Sequence, residues 1–553
     1  MTAPDPITVS VVQHRLIGIV EEMGEAMLRT AFSQILNSSR DFSTAICGAD
    51  GRLVAQAEHI PVHVGALPLA TEAVCEAFGD DIYPGDVFLL NDPYFGGSHL
   101  PDLTAFVPVF IDSELSFWTV NRAHHSDIGG ATHGAYNAAA TEIWHEGLRV
   151  PPIRLYDRGE LRQDLLQMLK ANVRHPRDFE GDLSAQIGSV HLGERRLREL
   201  AAEFDGPILK QSADKILDAT EQQVRAIVDM WPDGVYTGEA VLDDDGRGND
   251  DIVIRVTVTI TGSQLTVDLR ESDPEVASFL NSSYANMRSA VAMALAFLLD
   301  PEIAKNDGAM RPVDIMAKPG TIVYSKPGAP VTMSTSHCSQ EIIEAIVVAL
   351  SQACPERTMA GWGRRLRIAL KGFDPRNGRP FIWHMFHARP GAGASSGGDG
   401  WHNSGEWHSA GGLKFGSVEV AEVRFPLFFH HHEFRPDSGG DGRYAGGAGC
   451  DLTTVETDEA CVANTAGDGL RYGARGMMGG EDGAPHSYLL RRPIEEAQPL
   501  SSKQEGIPVP AHSRFEVHSG GGGGWGPPAE RPASSRTRDR KDGLSTGCDQ
   551  EQS

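Results

Sequence analysis

One sequence feature restricts the possible folds of this chain more than any other. It is a short apolar run that leads into a glycine-rich loop containing a histidine and an aspartate. Residues 87–90 (VFLL) are continuously apolar, as in a buried strand. The loop that follows, residues 91–102 (NDPYFGGSHLPD), ends in His99 and Asp102. A second strand end, residues 121–130 (NRAHHSDIGG), runs into another glycine-rich loop. We therefore expect a sheet whose strand ends bring imidazoles and carboxylates together.

These residue types suit a divalent metal ion. Zn-like ions bind imidazole nitrogen and carboxylate oxygen at about 2.0–2.2 Å. The pattern predicts ligands from Asp41 at a strand mouth, from His99 and Asp102, and from His124 or His125. Two imidazoles with two carboxylates suit Zn, Mn or Fe(II), and they leave room for a bound water. The alternative is a structural role for both residues, in which His99 caps a turn and Asp102 is a helix N-cap or forms a turn.

The paired histidines cannot both be direct ligands if the strand continues through them. Adjacent side chains on a strand point to opposite faces. At most one of His124 and His125 would bind the ion directly, and the other would support it or face a substrate. Asp127 could orient either ring.

Other chemically suggestive residues are interpreted as structural. His59 and His63 lie in a loop, and the run 430–432 (HHH) ends an alternating strand and predicts a solvated edge. The segment 393–397 (GASSG) matches G-x-S-x-G but lacks the strand and helix that a nucleophile elbow requires. Cys338 opens an apolar helix, which favours a packing role.

Glycine runs at 439–449 and 520–524 offer backbone amides for an anion or allow close approach of another chain segment. No P-loop occurs in the chain, and no G-x-G-x-x-G fingerprint lies between a strand and a helix. If a nucleotide is consumed, we expect another chain to bind it.

Charge and cysteine content exclude several classes of function. A net charge of −26 argues against nucleic acid or an anionic membrane surface as partner. Seven scattered cysteines without C-x-x-C argue against a disulfide framework or a cysteine zinc site. No signal peptide or membrane-spanning run is apparent, so we expect a cytoplasmic protein.

The 553 residues exceed one core, and the pattern predicts a multi-subdomain α+β chain with mixed or antiparallel sheets and a long N-terminal helix. Residues 1–226 form the expected α+β region with the metal site. We expect residues 227–360 to form a mixed α/β region. We expect residues 361–526 to form a β-rich region with glycine loops. Residues 527–553 are polar and almost free of apolar side chains, which predicts disorder.

Taken together, the motifs resemble those of the hydantoinase B/oxoprolinase family, the β-subunits of ATP-dependent N-methylhydantoinases and lactamases. Ketone carboxylases carry a related subunit. The resemblance covers residues 5–526 and is carried by segments 91–102, 124–130, 141–152, 281–286, 306–308, 435–440 and 520–524.

The resemblance implies a division of labour between two subunits. A hydantoinase A-like partner, using ATP and Mg, would phosphorylate the oxygen of a cyclic amide. This chain would then be a hydrolase acting on the activated ring in a hetero-oligomer. The resemblance implies metal ligands at Asp41, His99, Asp102 and His124. His125 or Glu146 could move protons to the departing nitrogen.

Two rival interpretations remain open at this point. The chain could be the metal subunit of an acetone- or acetophenone-type ketone carboxylase, although its length is nearer the hydrolase pattern. It could also be a non-catalytic partner, which the intact set of proposed ligands argues against. The polar segment after the last glycine run departs from the family pattern. This departure bears on assembly with a partner subunit more than on the metal site.

Overall fold

The computed structural model describes residues 3–414 and 416–547. Its helices are α1 Pro6–Thr30, α2 Gln34–Asn37, α3 Leu67–Phe78, α4 Gln163–Ala171, α5 Pro176–Phe204, α6 Gly206–Val228, α7 Tyr284–Leu298, α8 Cys338–Leu350, α9 Val418–Arg424 and α10 Ala533–Lys541. Asp5 begins the predicted long N-terminal helix by accepting hydrogen bonds from the amides of Ile7 and Thr8.

The N-terminal region is built on one seven-stranded antiparallel sheet, in the order β2-β1-β5-β4-β3-β6-β7. Its strands are β1 Phe42–Gly48, β2 Leu53–Glu58, β3 Val87–Leu90, β4 Asp102–Ile111, β5 Glu114–His124, β6 Ile153–Asp157 and β7 Glu160–Leu161. Helices α1 and α5 pack on one face of this sheet and α3 on the other. The predicted strand 87–90 is β3, and β4 and β5 form an antiparallel hairpin that ends at His124.

The middle region is a second sheet covered by helices. Strands β8 Gly234–Asp244, β9 Asp250–Thr261, β10 Gln264–Asp268 and β11 Val313–Met316 lie in the order β11-β10-β9-β8. Only β10 and β11 pair in parallel among these strands. Alternating burial along β9 places its apolar side chains against α8.

The C-terminal region contains two antiparallel sheets. One has β12 Ile368–Asp374, β13 Arg379–His384, β16 Cys461–Ala466 and β19 Lys503–Val509. The other has β14 Leu427–Phe434, β15 Cys450–Thr457, β17 Ser487–Arg491, β18 Gln498–Pro499 and β20 Arg514–His518. The mixed α+β class with antiparallel sheets is thereby confirmed.

The glycine runs allow extended segments to lie backbone against backbone. Amides of Gly391 and Gly440 donate to the carbonyls of Gly520 and Gly522, at 3.0 and 2.8 Å. A Cβ placed on Gly522 would lie 1.9 Å from the carbonyl oxygen of Ala392. Of the two interpretations of these runs, close approach of another chain segment is the one that the structure shows.

The segment after residue 526 differs from the expected disorder as far as it is described. Helix α10 spans Ala533–Lys541, and Arg531 is buried, with ion pairs to Asp399 at 2.7 Å and Asp539 at 2.8 Å. Polar composition does not prevent ordering here, because the arginine meets carboxylates on two segments. Residues 548–553 lie outside the described residues.

Every cysteine within the described residues is a free thiol; these are Cys47, Cys75, Cys338, Cys354, Cys450 and Cys461. Cys548 lies outside the described residues. None of the described helices is both long enough and apolar enough to span a bilayer.

Candidate metal centre

The order of strands brings three predicted site residues to one end of the N-terminal sheet. Strand β5 lies between β1 and β4, and all three pair antiparallel. The beginnings of β1 and β4 therefore flank the end of β5. Asp102 is the direct cross-strand partner of His124, and the His124 amide donates to the carbonyl of Asp41 at 3.0 Å.

Side-chain atoms of His99, Asp102 and His124 converge at this end. His99 Nε2 lies 2.8 Å from Asp102 Oδ1 and 3.2 Å from His124 Nδ1. His124 Nδ1 lies 3.1 Å from the same Asp102 oxygen. All three residues are buried. Three donor atoms thus form a compact triangle.

His63, which the sequence favoured as structural, is a further member of the cluster. Its Nε2 lies 3.4 Å from Asp41 Oδ1 and 3.4 Å from Asp102 Oδ2. The carboxylate of Asp41 therefore reaches the triangle through this imidazole. A histidine in a loop, without a patterned carboxylate beside it, gave no sequence signal for this position.

A set of neighbouring groups orients the two central side chains. His99 Nδ1 approaches the carbonyl of Thr332, which fixes Nδ1 as the donor and leaves the Nε2 lone pair facing the triangle. Ser98 Oγ donates to the second oxygen of Asp102. Glu146 accepts from the amides of Val331 and Thr332, both at 2.8 Å. Glu146 thereby holds the segment that orients His99.

The cluster combines an ionised carboxylate with imidazoles of different basicity. Burial raises the pKa of Asp102, but His99 and His63 outweigh it and hold that pKa well below its usual value. Burial lowers the pKa of His99, yet Asp102 outweighs it and the net direction is upward. For His63 burial dominates over Asp102 and Asp41, and its pKa is lowered.

Arg122 joins two of the segments that carry the cluster. It shares a strand face with His124, because side chains two residues apart on a strand point the same way. Its guanidinium is fully buried and donates to Thr104 Oγ1 at 2.8 Å, to the carbonyl of His63 at 3.0 Å and to the carbonyl of Gly96 at 3.0 Å. No local sequence pattern marks this arginine as part of the site.

The loop that carries His99 requires its asparagine and glycines. Asn91 donates to the carbonyls of Leu100 and Leu148, at 2.7 and 2.9 Å. Gly96 has φ 87°, and a Cβ there would lie 2.3 Å from the Ala70 amide nitrogen. The motif around His99 is therefore a packed, internally bonded loop.

His125 and Asp127 lie away from the cluster. His125 Nε2 donates to Gln186 Oε1 at 2.8 Å on the α5 side of the sheet, and its ring contacts Phe179. The two adjacent histidines therefore point to opposite faces of the strand, and the binding of an ion by His124 stays a prediction. Asp127 pairs with Arg174 at 2.7 Å and orients neither histidine.

The remaining motifs have the packing and ion-pair contacts of structural residues. His59 packs against Phe42 in a tilted arrangement, with ring centroids 4.4 Å apart. His430 lies on β14, at the edge of its sheet, and pairs with Glu456 at 2.8 Å. Cys338 is buried at the start of α8, and burial raises its pKa well above the usual range. Segment 393–397 is irregular backbone, without the elbow context.

The donor set fits a divalent ion of the Zn, Mn or Fe type. Ligands about 2.1 Å from a tetrahedral ion are roughly 3.4 Å apart, close to the separations of 2.8, 3.1 and 3.2 Å in the triangle. Two nitrogens and a carboxylate oxygen are the ligand types that such ions accept. His99, Asp102 and His124 could hold the ion directly, with His63 and Asp41 beside them.

Comparison with known proteins identifies the family. Residues 5–528 match the model of the Hydantoinase B/oxoprolinase family. The chain is 34% identical over 550 residues to the caprolactamase β subunit of Pseudomonas jessenii, across 98% of this chain and 94% of that one. It superimposes on the crystal structure of the ATP-dependent caprolactamase from that organism with a TM-score of 0.92 at 32% identity, covering 99% and 95% of the chains.

A nucleotide-free acetone carboxylase structure has a TM-score of 0.88 at 20% identity, covering 98% of this chain and 78% of that one. At that identity the similarity shows a shared fold and no more. The match to the family model and the caprolactamase relative together carry the assignment. The chain belongs to the hydantoinase B/oxoprolinase family.

Proposed function

We propose that this chain is the hydrolytic subunit of an ATP-dependent cyclic-amide hydrolase of the hydantoinase, 5-oxoprolinase or lactamase type. The convergence of His99 Nε2, His124 Nδ1 and Asp102 Oδ1 within 3.2 Å of one another is the observation that carries the proposal. A divalent ion held there would lower the pKa of a coordinated water and so supply a nucleophile near neutral pH.

The chemistry explains why a separate activating subunit is expected. An unstrained amide is stabilised by resonance, and its nitrogen leaves poorly. Phosphorylation of the oxygen by a hydantoinase A-like ATPase would make the ring carbon electrophilic. The description of the P. jessenii relative as a β subunit supports such a partner.

Opening of the O-phosphorylated ring leaves an acyl phosphate, and a second water then releases its phosphate. In the ring-opening step the oxygen of the first water bonds to the ring carbon and the carbon–nitrogen bond breaks. The nitrogen takes up the protons of that water, the second proton as it leaves. His63 is placed to hold that proton, because its Nε2 lies between the carboxylates of Asp41 and Asp102.

The two proton carriers expected from the sequence receive positioning roles in this proposal. Both oxygens of Glu146 are engaged by backbone amides, so the carboxyl fixes the segment behind His99. His125 faces α5 rather than the triangle and is held by Gln186.

The test is reconstitution with the partner ATPase. The complex should open hydantoins, 5-oxoproline or lactams only when ATP is present, and His99→Ala should abolish ring opening. The same complex should be offered acetone-type ketones with bicarbonate. Consumption of ketones while every cyclic amide stays intact would refute the proposal and establish a carboxylase instead.

A further inference from the structure

A cavity of about 510 Å³ opens between the N-terminal sheet and the β12–β13 hairpin. Its walls are residues 32–35, Ser126, residues 174–178 at the start of α5, residues 374–384 in part, and residues 424–425. That volume falls in the range of small-molecule sites. The proposed metal ligands do not line it, so it is a separate compartment among the described residues.

The mouth of this cavity carries uncompensated positive charge. Arg177, Arg379 and Arg424 line it and are exposed. The guanidinium groups of Arg177 and Arg379 make no hydrogen bond or ion pair with any residue that the structure describes. Both charges lower the pKa of Asp178 electrostatically, without a direct contact. Arg424 donates to the amide oxygen of Asn37 at 3.0 Å, which leaves its charge unbalanced.

The other charged groups of the lining are already paired. Arg174 binds Asp127 at 2.7 Å, and Asp374 is bound by Arg376 at 2.9 Å. Three arginines therefore face the single carboxyl of Asp178, on a chain whose net charge is −26. A local excess of positive charge on a chain with a negative net charge favours the binding of a small anion.

The floor of the cavity holds a buried imidazole whose two ring nitrogens make no hydrogen bond of normal geometry within the described part of the chain. This residue, His384, is 1% exposed. Burial holds the pKa of His384 well below its usual value, His124 and His133 act in the same direction, and the Ser126 backbone opposes them. A neutral imidazole offers one N–H donor, and leaving it unused when buried is costly.

The floor also lies next to the metal-centre end of the sheet. Ser126 lines the cavity and follows His124 by two positions along the chain. A ligand with one end at the arginines would have its other end near the cluster.

We propose that this cavity, the Arg177 pocket, binds a phosphoryl dianion, with Arg177 and Arg379 neutralising it and His384 donating a hydrogen bond. The excess of two positive charges matches a dianion better than a carboxylate. That the phosphoryl group belongs to an O-phosphorylated cyclic amide rests on the proposed function; the chemical class of ligand rests on the pocket alone.

The direct test is a calorimetric titration of the full-length chain with inorganic phosphate, and with acetate for comparison. The double variant Arg177→Glu/Arg379→Glu should bind phosphate at least about tenfold more weakly. The matched control is Arg198→Glu, a 66% exposed arginine on the same helix, which should leave binding unchanged. Equal affinity in the double variant, or acetate binding as tight as phosphate, would overturn the proposal.

A second variant tests the floor without depending on charge at the mouth. His384→Phe removes the unpartnered donor while keeping a ring of similar shape. It should fold with unchanged circular dichroism and bind phosphate more weakly, and His384→Asn should recover part of the affinity. Wild-type phosphate affinity in folded His384→Phe would remove His384 from the site.

The reconstituted complex separates this inference from the proposed function. If the double variant opens rings with the wild-type KM and binds phosphate like wild type, the pocket assignment fails and the hydrolase proposal stands. If the wild-type complex opens no cyclic amide, yet phosphate binding depends on Arg177 and Arg379, the pocket stands and the hydrolase proposal fails.

Discussion

Arg122→Lys should damage both the stability of the N-terminal sheet and its metal site. The guanidinium forms three hydrogen bonds at 2.8, 3.0 and 3.0 Å, and two of the acceptors are the carbonyls of His63 and Gly96. Lysine keeps the charge but cannot span three acceptors in one plane. Losing two hydrogen bonds from a buried charged donor, at about 1.5–3 kcal/mol each, predicts a loss of roughly 3–6 kcal/mol.

The assay is urea denaturation followed by tryptophan fluorescence, with metal content measured on the folded protein. Trp118 is fully buried in the same sheet and reports on it. Arg198→Lys is the matched control, because an exposed Arg-to-Lys change should stay within about 0.5 kcal/mol. Arg122→Lys within about 1 kcal/mol of wild type and with full metal would refute the reasoning.

Three further predictions follow from individual contacts. Burial raises the pKa of Glu146 from 4.5 to about 7, so its contribution to stability is complete below about pH 4.5 and about 3 kcal/mol is lost as pH rises through 7. Glu146→Gln should remove this pH dependence in denaturation at pH 5 and 8, and parallel profiles would contradict it. Gly522→Ala should cost several kcal/mol in urea denaturation because of the 1.9 Å approach to Ala392; exposed Gly188 on α5, with no atom near its Cβ position, should tolerate alanine, and equal stability of the two variants would contradict the packing argument. Asp41→Asn should weaken metal affinity about 10–100-fold by isothermal titration, whereas complete loss of binding would make Asp41 a direct ligand.

Local periodicity was enough to predict much of the framework. The N-terminal helix and the strand at 87–90 have apolar patterns that depend only on neighbouring residues. The proximity of His99, Asp102 and His124 was predicted as well, because all three follow or end apolar strands. Their mutual distances were not predictable, since they depend on β5 lying between β1 and β4.

The parts that sequence reasoning missed depend on partners distant along the chain. His63 lies in a short 3-10 helix, and its carboxylate partners lie at the beginnings of two separate strands. Arg122 looks like an ordinary strand residue until the acceptors at His63 and Gly96 are known. Arg531 anchors the tail through an ion pair with Asp399, which lies far upstream. No local pattern encodes such contacts.

The metal content of His124 and His125 variants tests the central claim most directly. The two histidines are neighbours on one strand end, yet His124 faces the triangle and His125 faces Gln186. Elemental analysis should find about one Zn-, Mn- or Fe-type ion per wild-type chain. His124→Gln should lose it and His125→Gln should retain it. Full metal in His124→Gln, or no metal in the wild-type protein, would contradict the account.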